Sequence, residues 1–269
     1  MVKKLFKHEF LALSRLLVPV YVIFIAASIL GRVLQLFESE SIVYTIISAF
    51  SVFIYVGSLI AVLVLTGIFC IVRYYKNMFS AEGYLTFTLP VTPTQHIMVK
   101  LVTALVCQIV TILAVMFSVS IITMGDVYNE IVKATVYLLN LINDEWAVHI
   151  WFYAIEVILL LIVSCGVSIL LYYTCITIGQ TFKKNRIMGA VGVYFLYYVA
   201  TQTFGSVISV IASTLIGEDF AEKIGMFFEA HIKGCLHGVF CGSIVFNLLL
   251  GLAFFFIIKS IIKNKLNLE

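Results

Sequence analysis

Long apolar runs alternate with short polar connections along the whole chain. Six of the runs reach about 20 residues, which is the length that a helix needs to cross the hydrocarbon core of a bilayer. A β-barrel would instead show short segments of alternating polarity. The pattern therefore predicts an all-α, polytopic membrane protein with six transmembrane helices. The predicted spans cover about Leu16–Phe37, Ile42–Val72, Pro93–Thr123, Ile150–Ile178, Ile187–Ile216 and Gly238–Ile258.

Three stretches outside these spans place apolar residues at helical spacing among polar ones. In Met1–Leu17, apolar residues such as Phe6 and Phe10 recur every three or four positions between lysines. This is typical of a basic amphipathic helix that lies in the membrane surface. The polar segments Met124–His149 and Gly217–His237 show the same periodicity. They are predicted to form short extracellular helices.

Composition and charge add an orientation to this picture. The chain of 269 residues is 62% hydrophobic and 12% charged, whereas a soluble domain carries about 25% charged residues. With the N-terminus inside, the positive-inside rule is satisfied at every cytoplasmic segment. Both termini are therefore predicted to be cytoplasmic, and the basic residues signal topology and not nucleic-acid binding. The inner basic residues are Lys3, Lys4, Lys7, Arg15, Arg73, Lys76, Lys100, Lys183, Lys184, Arg186, Lys259, Lys263 and Lys265.

Catalytic and cofactor motifs are missing from the sequence. It contains no HExxH, GxSxG, GxGxxG or GxxxxGK[ST], so we expect no enzymatic activity, no bound cofactor and no ATP site of its own. The histidines show no metal-ligand spacing with the cysteines. Most cysteines lie in apolar runs and are interpreted as buried thiols. Pairing of Cys235 with Cys241 is left open.

A few polar side chains fall inside the predicted spans. Glu156 is the one acid there, and an intramembrane acid is a functional candidate. Because it lies near the outer end of the fourth span, it can equally face the aqueous mouth or pair locally. Gln108, Gln202 and Asn247 lie deepest. Two roles are open for them, hydrogen bonding between helices or lining a substrate path.

Glycines mark two helix starts. Gly189 and Gly192 enter the fifth span, and Gly234, Gly238 and Gly242 form a GxxxGxxxG pattern at the sixth. Small residues at this spacing let helices approach closely. Internal packing is one interpretation, and a dimer seam or a hinge is the other.

The connection Arg73–Thr94 is longer than a membrane turn requires. Thr92, Pro93 and Gln95 provide the N-cap, first position and third position of a helix start. Between Ser80 and Thr92 the pattern fits a short helix and an extended chain equally well. Four large apolar residues there face the cytoplasm, where they must pack on span ends, lie in the lipid headgroups or enter a groove of another protein, and the last is the favoured interpretation. They are Tyr84, Leu85, Phe87 and Leu89.

The stretch EGYLTFTLPV at residues 82–91, after the second of six spans, resembles the permease subunits of type-2 ABC exporters, particularly small permeases of Firmicutes. The resemblance implies that Met1–Leu17 is a connecting helix and that Ala81–Leu89 holds a coupling helix. It also implies short re-entrant helices in Glu218–Leu236. The residues that it assigns to contact with an ATPase are Glu82, Tyr84, Leu85, Phe87 and Leu89.

The same resemblance implies a function. Residues 1–269 would form one permease domain without a nucleotide-binding domain, in the bacterial plasma membrane. A separate ATPase subunit would bind ATP and Mg²⁺, and a second permease subunit would complete the path in a homo- or heterodimer surrounded by membrane lipids. The expected cargo is a hydrophobic or amphipathic peptide, lipid or drug. The alternative is a channel or secondary transporter that needs no ATPase.

Overall fold

The computed structural model describes residues 2–37, 41–80, 83, 91–146, 150–182, 185–215, 223, 226–228 and 230–264. Regular structure within these ranges is helical. The helices are α1 (Val2–Leu36), α2 (Ile42–Phe79), α3 (Pro93–Ile122), α4 (Asp126–Trp146), α5 (Ile150–Gly179), α6 (Arg186–Leu215) and α7 (Ile232–Asn264).

Six of these helices are long and apolar enough to cross a membrane, and α4 is the exception. The predicted all-α class with six spans is thereby confirmed. The helix expected within Met124–His149 is present as α4, whose described side chains from Tyr128 onward are exposed. In the second polar loop, residues 217–222, 224–225 and 229 lie outside the described residues. The described residues 223, 226–228 and 230 are helical, and α7 begins at Ile232.

Several helices are longer than the hydrophobic pattern predicted. Helix α2 has 38 residues and α7 has 33, so they extend about 57 and 50 Å, against about 30 Å for a bilayer core. Helix α2 continues from the predicted end at Val72 to Phe79, because Tyr74, Asn77 and Met78 are buried against neighbouring helices. Helix α7 begins at Ile232 and not at Gly238. The hydrophobic pattern therefore indicates which part of a helix lies in lipid, and it does not indicate where the helix ends.

The N-terminal helix also differs from its prediction. Met1–Leu17 was expected to form a separate helix in the membrane surface, but α1 runs through Pro19 without a break. Glu9 contacts Lys100, 91 residues further along the chain, and Tyr21 contacts Thr111, 90 residues further. A constant offset means that α1 and α3 are parallel. The basic start of α1 therefore runs beside the start of α3.

The chain divides into two compact units, Met1–Leu138 and Leu139–Glu269. In the first, α1 packs on both α2 and α3, and α2 is antiparallel to them. Phe24 of α1 stacks on Tyr55 of α2 with ring centroids 6.1 Å apart. The fully buried side chains that fill this unit include Leu17, Phe24, Val62, Tyr74, Met78 and Ile97.

In the second unit, α5 packs on α6 and α7. Helices α5 and α7 are parallel, with Glu156 beside His237 at one level and Val167 beside Gly251 at another. Helix α6 runs antiparallel to α5, and a Cβ on Gly179 would lie 2.7 Å from the Cβ of Ala190. This close approach sits at the turn that joins the two helices.

Candidate functional site

The five residues predicted to contact an ATPase, Glu82, Tyr84, Leu85, Phe87 and Leu89, lie outside the described residues. Gly83, between the first two, is described. It is buried, and its N–H donates to the carbonyl oxygen of Ser80 at 2.7 Å. A Cβ at this position would lie 2.8 Å from the carbonyl oxygen of Met78. Gly83 is therefore held closely against the end of α2, and a side chain at this position would push it away.

The other end of the segment is fixed by the predicted capping box. Thr92 Oγ1 accepts a hydrogen bond from the N–H of Gln95 at 3.4 Å, and the N–H of Thr92 donates to Gln95 Oε1 at 3.1 Å. Pro93 occupies the first turn of α3. Two N–H groups at the helix start are satisfied in this way, which confirms the start of α3 read from the sequence.

A buried ionic group joins the helices on both sides of the segment to α1. We call Glu9, Arg73, Asn77 and Lys100 the Glu9 cluster. Glu9 Oε1 accepts from Lys100 Nζ at 2.8 Å and from Asn77 Nδ2 at 2.6 Å, and its Oε2 accepts from Arg73 Nε at 3.1 Å. The side chains of Glu9 and Lys100 are only 8% and 4% exposed.

The Glu9 cluster is stable only as a whole. It holds two cations and one anion, and Arg73 is the most accessible member at 31% side-chain exposure. Removing one partner of a buried ion pair leaves a charge without compensation and costs about 3–5 kcal/mol. Arg73 and Asn77 belong to the last two turns of α2, and Lys100 belongs to the second turn of α3. One carboxylate of α1 therefore fixes the spacing of the two helices that flank the segment.

The sequence interpretation treated Arg73 and Lys100 only as signals of topology and did not single out Glu9. One signal was available. Lys100 lies seven residues after Pro93 in an otherwise apolar helix, where a cation needs a counter-ion. The identity of that counter-ion depends on which helix packs beside α3, and the local pattern does not carry this information.

Further along α1, α2 and α3, the polar contacts between the helices are made by hydroxyl groups and not by charged groups. Thr111 Oγ1 of α3 lies 2.7 Å from Tyr21 Oη of α1 and 3.1 Å from Thr66 Oγ1 of α2. Gln108, predicted for a helix–helix bond or a path, lies one turn before Thr111. It is half-buried, and its Oε1 has no hydrogen-bond partner among the described atoms.

Glu156 pairs with a neighbouring helix. Its Oε1 lies 2.7 Å from Nδ1 of His237 and accepts a weak hydrogen bond from Cys241 Sγ at 3.8 Å. The ring of Tyr153 stacks on His237 at 4.4 Å. We call these four residues the Glu156 cluster. Sequence reasoning missed His237 because it placed that residue in the loop before the sixth span.

The Glu156 cluster is only partly enclosed. The side chains of Glu156 and His237 are 17% and 43% exposed, and Glu156 Oε2 is buried without a described partner. Cys235 and Cys241 are free thiols. Within the described residues, no three His, Cys, Asp or Glu side chains are arranged to hold a metal ion. Local pairing is thus the observed arrangement of Glu156.

The other two polar candidates bond within their own helices. Gln202 Nε2 donates to Tyr198 Oη at 3.3 Å, and Asn247 Nδ2 donates to the carbonyl oxygen of Ser243 at 2.9 Å. Gln202 is exposed on α6. The described hydrogen bonds of Gln202 and Asn247 thus stay within single helices.

The predicted glycines fall into two groups. A Cβ on Gly189 would lie 2.7 Å from the ring of Phe182, so this glycine packs inside the chain. The remaining four have no described heavy atom within 4 Å of such a Cβ. These four are Gly192, Gly234, Gly238 and Gly242. The glycine pattern predicted close helix approach without identifying which glycines meet a neighbour.

Comparison with protein-family models, with curated proteins and with solved structures found no match. The class defined by the fold is a multi-pass α-helical membrane protein. Its most organised polar site is the Glu9 cluster, beside the two helix ends that carry the segment at residues 80–92.

Proposed function

We propose that this chain is the membrane-spanning permease subunit of an ATP-driven ABC exporter that works with a separate ATPase subunit. The single observation that carries the proposal is the attachment of the EGYLTFTLPV segment. The Glu9 cluster ties the helix before it and the helix after it to α1, and Gly83 and the Thr92 cap fix its two ends.

This attachment suits a segment that transmits force. Because α2 reaches Phe79 and α3 begins at Pro93, little chain separates the segment from two long helices. A displacement of the segment would move both helices, and the buried carboxylate of Glu9 would carry α1 with them. Three spans would then move as one body, which is the behaviour required of a coupling between ATP hydrolysis and a membrane path.

The division of labour follows from the sequence. The ATPase subunit would hold ATP and Mg²⁺ and would contact Glu82, Tyr84, Leu85, Phe87 and Leu89 from the cytoplasm. A second permease subunit would complete the translocation path in the plasma membrane of a bacterium. An apolar, aromatic path fits a hydrophobic or amphipathic cargo such as a peptide, lipid or drug.

The test is co-purification with an ATPase encoded by a neighbouring reading frame that contains GxxxxGK[ST]. Tagged chains carrying Leu85→Glu or Phe87→Glu should reach the membrane in normal amounts and lose the ATPase. Tyr137→Glu is the matched control, because Tyr137 is an exposed aromatic residue of α4 on the side predicted to be extracellular. Unchanged recovery of the ATPase with both variants would refute the assignment.

A second candidate function is transport without an ATPase, and the Glu156 cluster favours it. A hydrogen-bonded acid and histidine inside a candidate span are typical of a proton or ion pathway. Chains reconstituted alone into vesicles that contain a pH-sensitive dye should then conduct protons, and Glu156→Gln should abolish this conduction. Vesicles as tight as protein-free ones would eliminate this candidate and leave the permease proposal untouched.

A further inference from the structure

An open cleft lies between the first turns of α1 and the first three turns of α3. It has a volume of 530 Å³, which is within the usual range for sites of small ligands. The polar residues that line it are Lys3, Thr94 and Gln95, and the apolar ones include Phe6, Met98 and Val102. Both of its walls belong to the unit formed by Met1–Leu138.

Polarity changes along this cleft in one direction. The offset of 91 residues between contacting positions of α1 and α3 places Lys3 level with Thr94, at the ends of the two helices. Val102 lies eight residues further along α3, about 12 Å deeper. The polar lining is therefore at the helix ends, and the apolar lining extends toward the part of α3 that is predicted to lie in the hydrocarbon core.

The polar end of the cleft is also positively charged. Lys3, Lys4 and Lys7 lie in the first two turns of α1 and are exposed. The acid that follows them, Glu9, is already paired with Lys100 and Arg73 and does not neutralise them. Lysines at a membrane surface attract anionic lipids, each by a factor of about five in affinity.

We propose that this cleft binds one anionic phospholipid of the inner leaflet. Its phosphate group lies at Lys3 and Thr94, and one acyl chain lies along Phe6, Met98 and Val102. An apolar cleft beside the exposed lysines of α1 favours a lipid over a partner helix, because a phospholipid carries an anionic group and an apolar chain next to each other. The inference does not depend on the permease proposal.

The test uses the full chain in mild detergent, titrated with phosphatidylglycerol or phosphatidylcholine and observed by native mass spectrometry. One phosphatidylglycerol should be retained per chain at concentrations where phosphatidylcholine is lost. Lys3→Gln should weaken this retention about fivefold. Lys259→Gln removes an exposed lysine of α7 and should leave it unchanged.

A second pair of variants tests the apolar half of the cleft without altering charge. Val102→Trp fills the cleft and should abolish retention, whereas Val110→Trp, at an exposed position of α3 that does not line the cleft, should not. Equal retention of the two lipids, or equal behaviour within either pair of variants, would overturn the proposal. A photo-crosslinking amino acid at position 98 that captures a polypeptide and no lipid would overturn it as well.

Discussion

In the unit formed by Met1–Leu138, the middle helix α2 is bonded to both neighbours. In the unit formed by Leu139–Glu269, the described contacts of the middle helix α6 lie in its first half, with α5 at Ala190 and Tyr194 and with α7 at Tyr197. Both units place a first and a third helix in parallel and a second helix antiparallel to them. This arrangement of helix directions follows from three successive membrane crossings. It is not evidence that one unit arose as a duplicate of the other. The difference lies in what holds the middle helix.

The contrast is clearest in the polar contacts. Helix α2 reaches its neighbours through Arg73 and Asn77 at one level and through Thr66 at the next, and Tyr55 bonds to Ser118 of α3 at 3.3 Å. From Tyr198 onward, the described side-chain hydrogen bonds of α6 stay within α6, as with Thr203. Nearer its start, Tyr194 is hydrogen-bonded to Tyr172 of α5. Side chains from 198 to 211 are exposed throughout.

This difference has a physical meaning in lipid. Burial from water does not drive helices together there, so packing and polar contacts decide which helices stay associated. The first unit is therefore expected to move as one body, whereas α6 is free to shift against α5. In the proposed exporter, the second permease subunit would cover the exposed side chains of α6.

The largest expected effect breaks the first unit. Glu9→Gln leaves Lys100 buried without a carboxylate and should lower the free energy of unfolding by about 3–5 kcal/mol. A denaturant titration of the full chain in mild detergent measures this, and hydrogen exchange should localise the loss to α1, α2 and α3. Glu130→Gln, at an exposed acid of α4, is the control.

A double variant distinguishes a lost charge partner from a lost contact. Glu9→Leu combined with Lys100→Leu removes both buried charges, so it should be more stable than Glu9→Gln alone, with the remaining Arg73 solvated through its exposed face. If Glu9→Gln unfolds like the Glu130 control, the Glu9 cluster does not hold this unit together.

The next effect concerns the close approach of α6 to α5 at their common turn. Gly179→Ala would place a methyl group 2.7 Å from Cβ of Ala190, and overpacking of this kind costs about 1–3 kcal/mol. The same titration should show this loss, with faster exchange in α6. Gly192→Ala has open space around it and should be neutral or slightly stabilising. Equal stability of the two variants would mean that the turn does not anchor α6.

The Gly83→Ala variant tests whether the start of the coupling segment must be held against α2. The added Cβ meets the carbonyl oxygen of Met78 at 2.8 Å, so the start of the segment must move away from α2 while the three helices stay tied. We expect stability to change by about 1 kcal/mol or less and ATPase co-purification to fall. Gly57→Ala, within α2 and with open space around it, should keep the ATPase. Full recovery with Gly83→Ala would show that the segment needs no fixed start.

The smallest effect is predicted for Gln202→Leu. Its described hydrogen bond stays within α6, so its loss should change the free energy of unfolding by less than about 0.5 kcal/mol. A larger loss in the purified chain would show that Gln202 has a partner across a helix interface, which would make the second unit resemble the first.

Much of the fold was predictable from local pattern. The six candidate spans and the start of α3 at Thr92 and Pro93 depend on residues close together in the chain, and these predictions are confirmed. Helices α2 and α7 were predicted too short. Helix α2 continues past its apolar run because Tyr74 is buried, and α7 begins before its apolar run, where His237 pairs with Glu156. The sides assigned to the termini stay predictions.

By itself, the sequence determined that this chain is helical and that it has six helices long and apolar enough to cross a membrane. Length and polarity along the chain are enough for that, because a bilayer requires each crossing to be apolar and internally hydrogen-bonded. Only the tertiary structure decided that Glu9 meets Lys100 and Arg73, that Glu156 meets His237, and that a Cβ on four of the five predicted glycines would contact no described atom. Those outcomes depend on which helix faces land together, and residues more than 60 positions apart carry no local mark of each other.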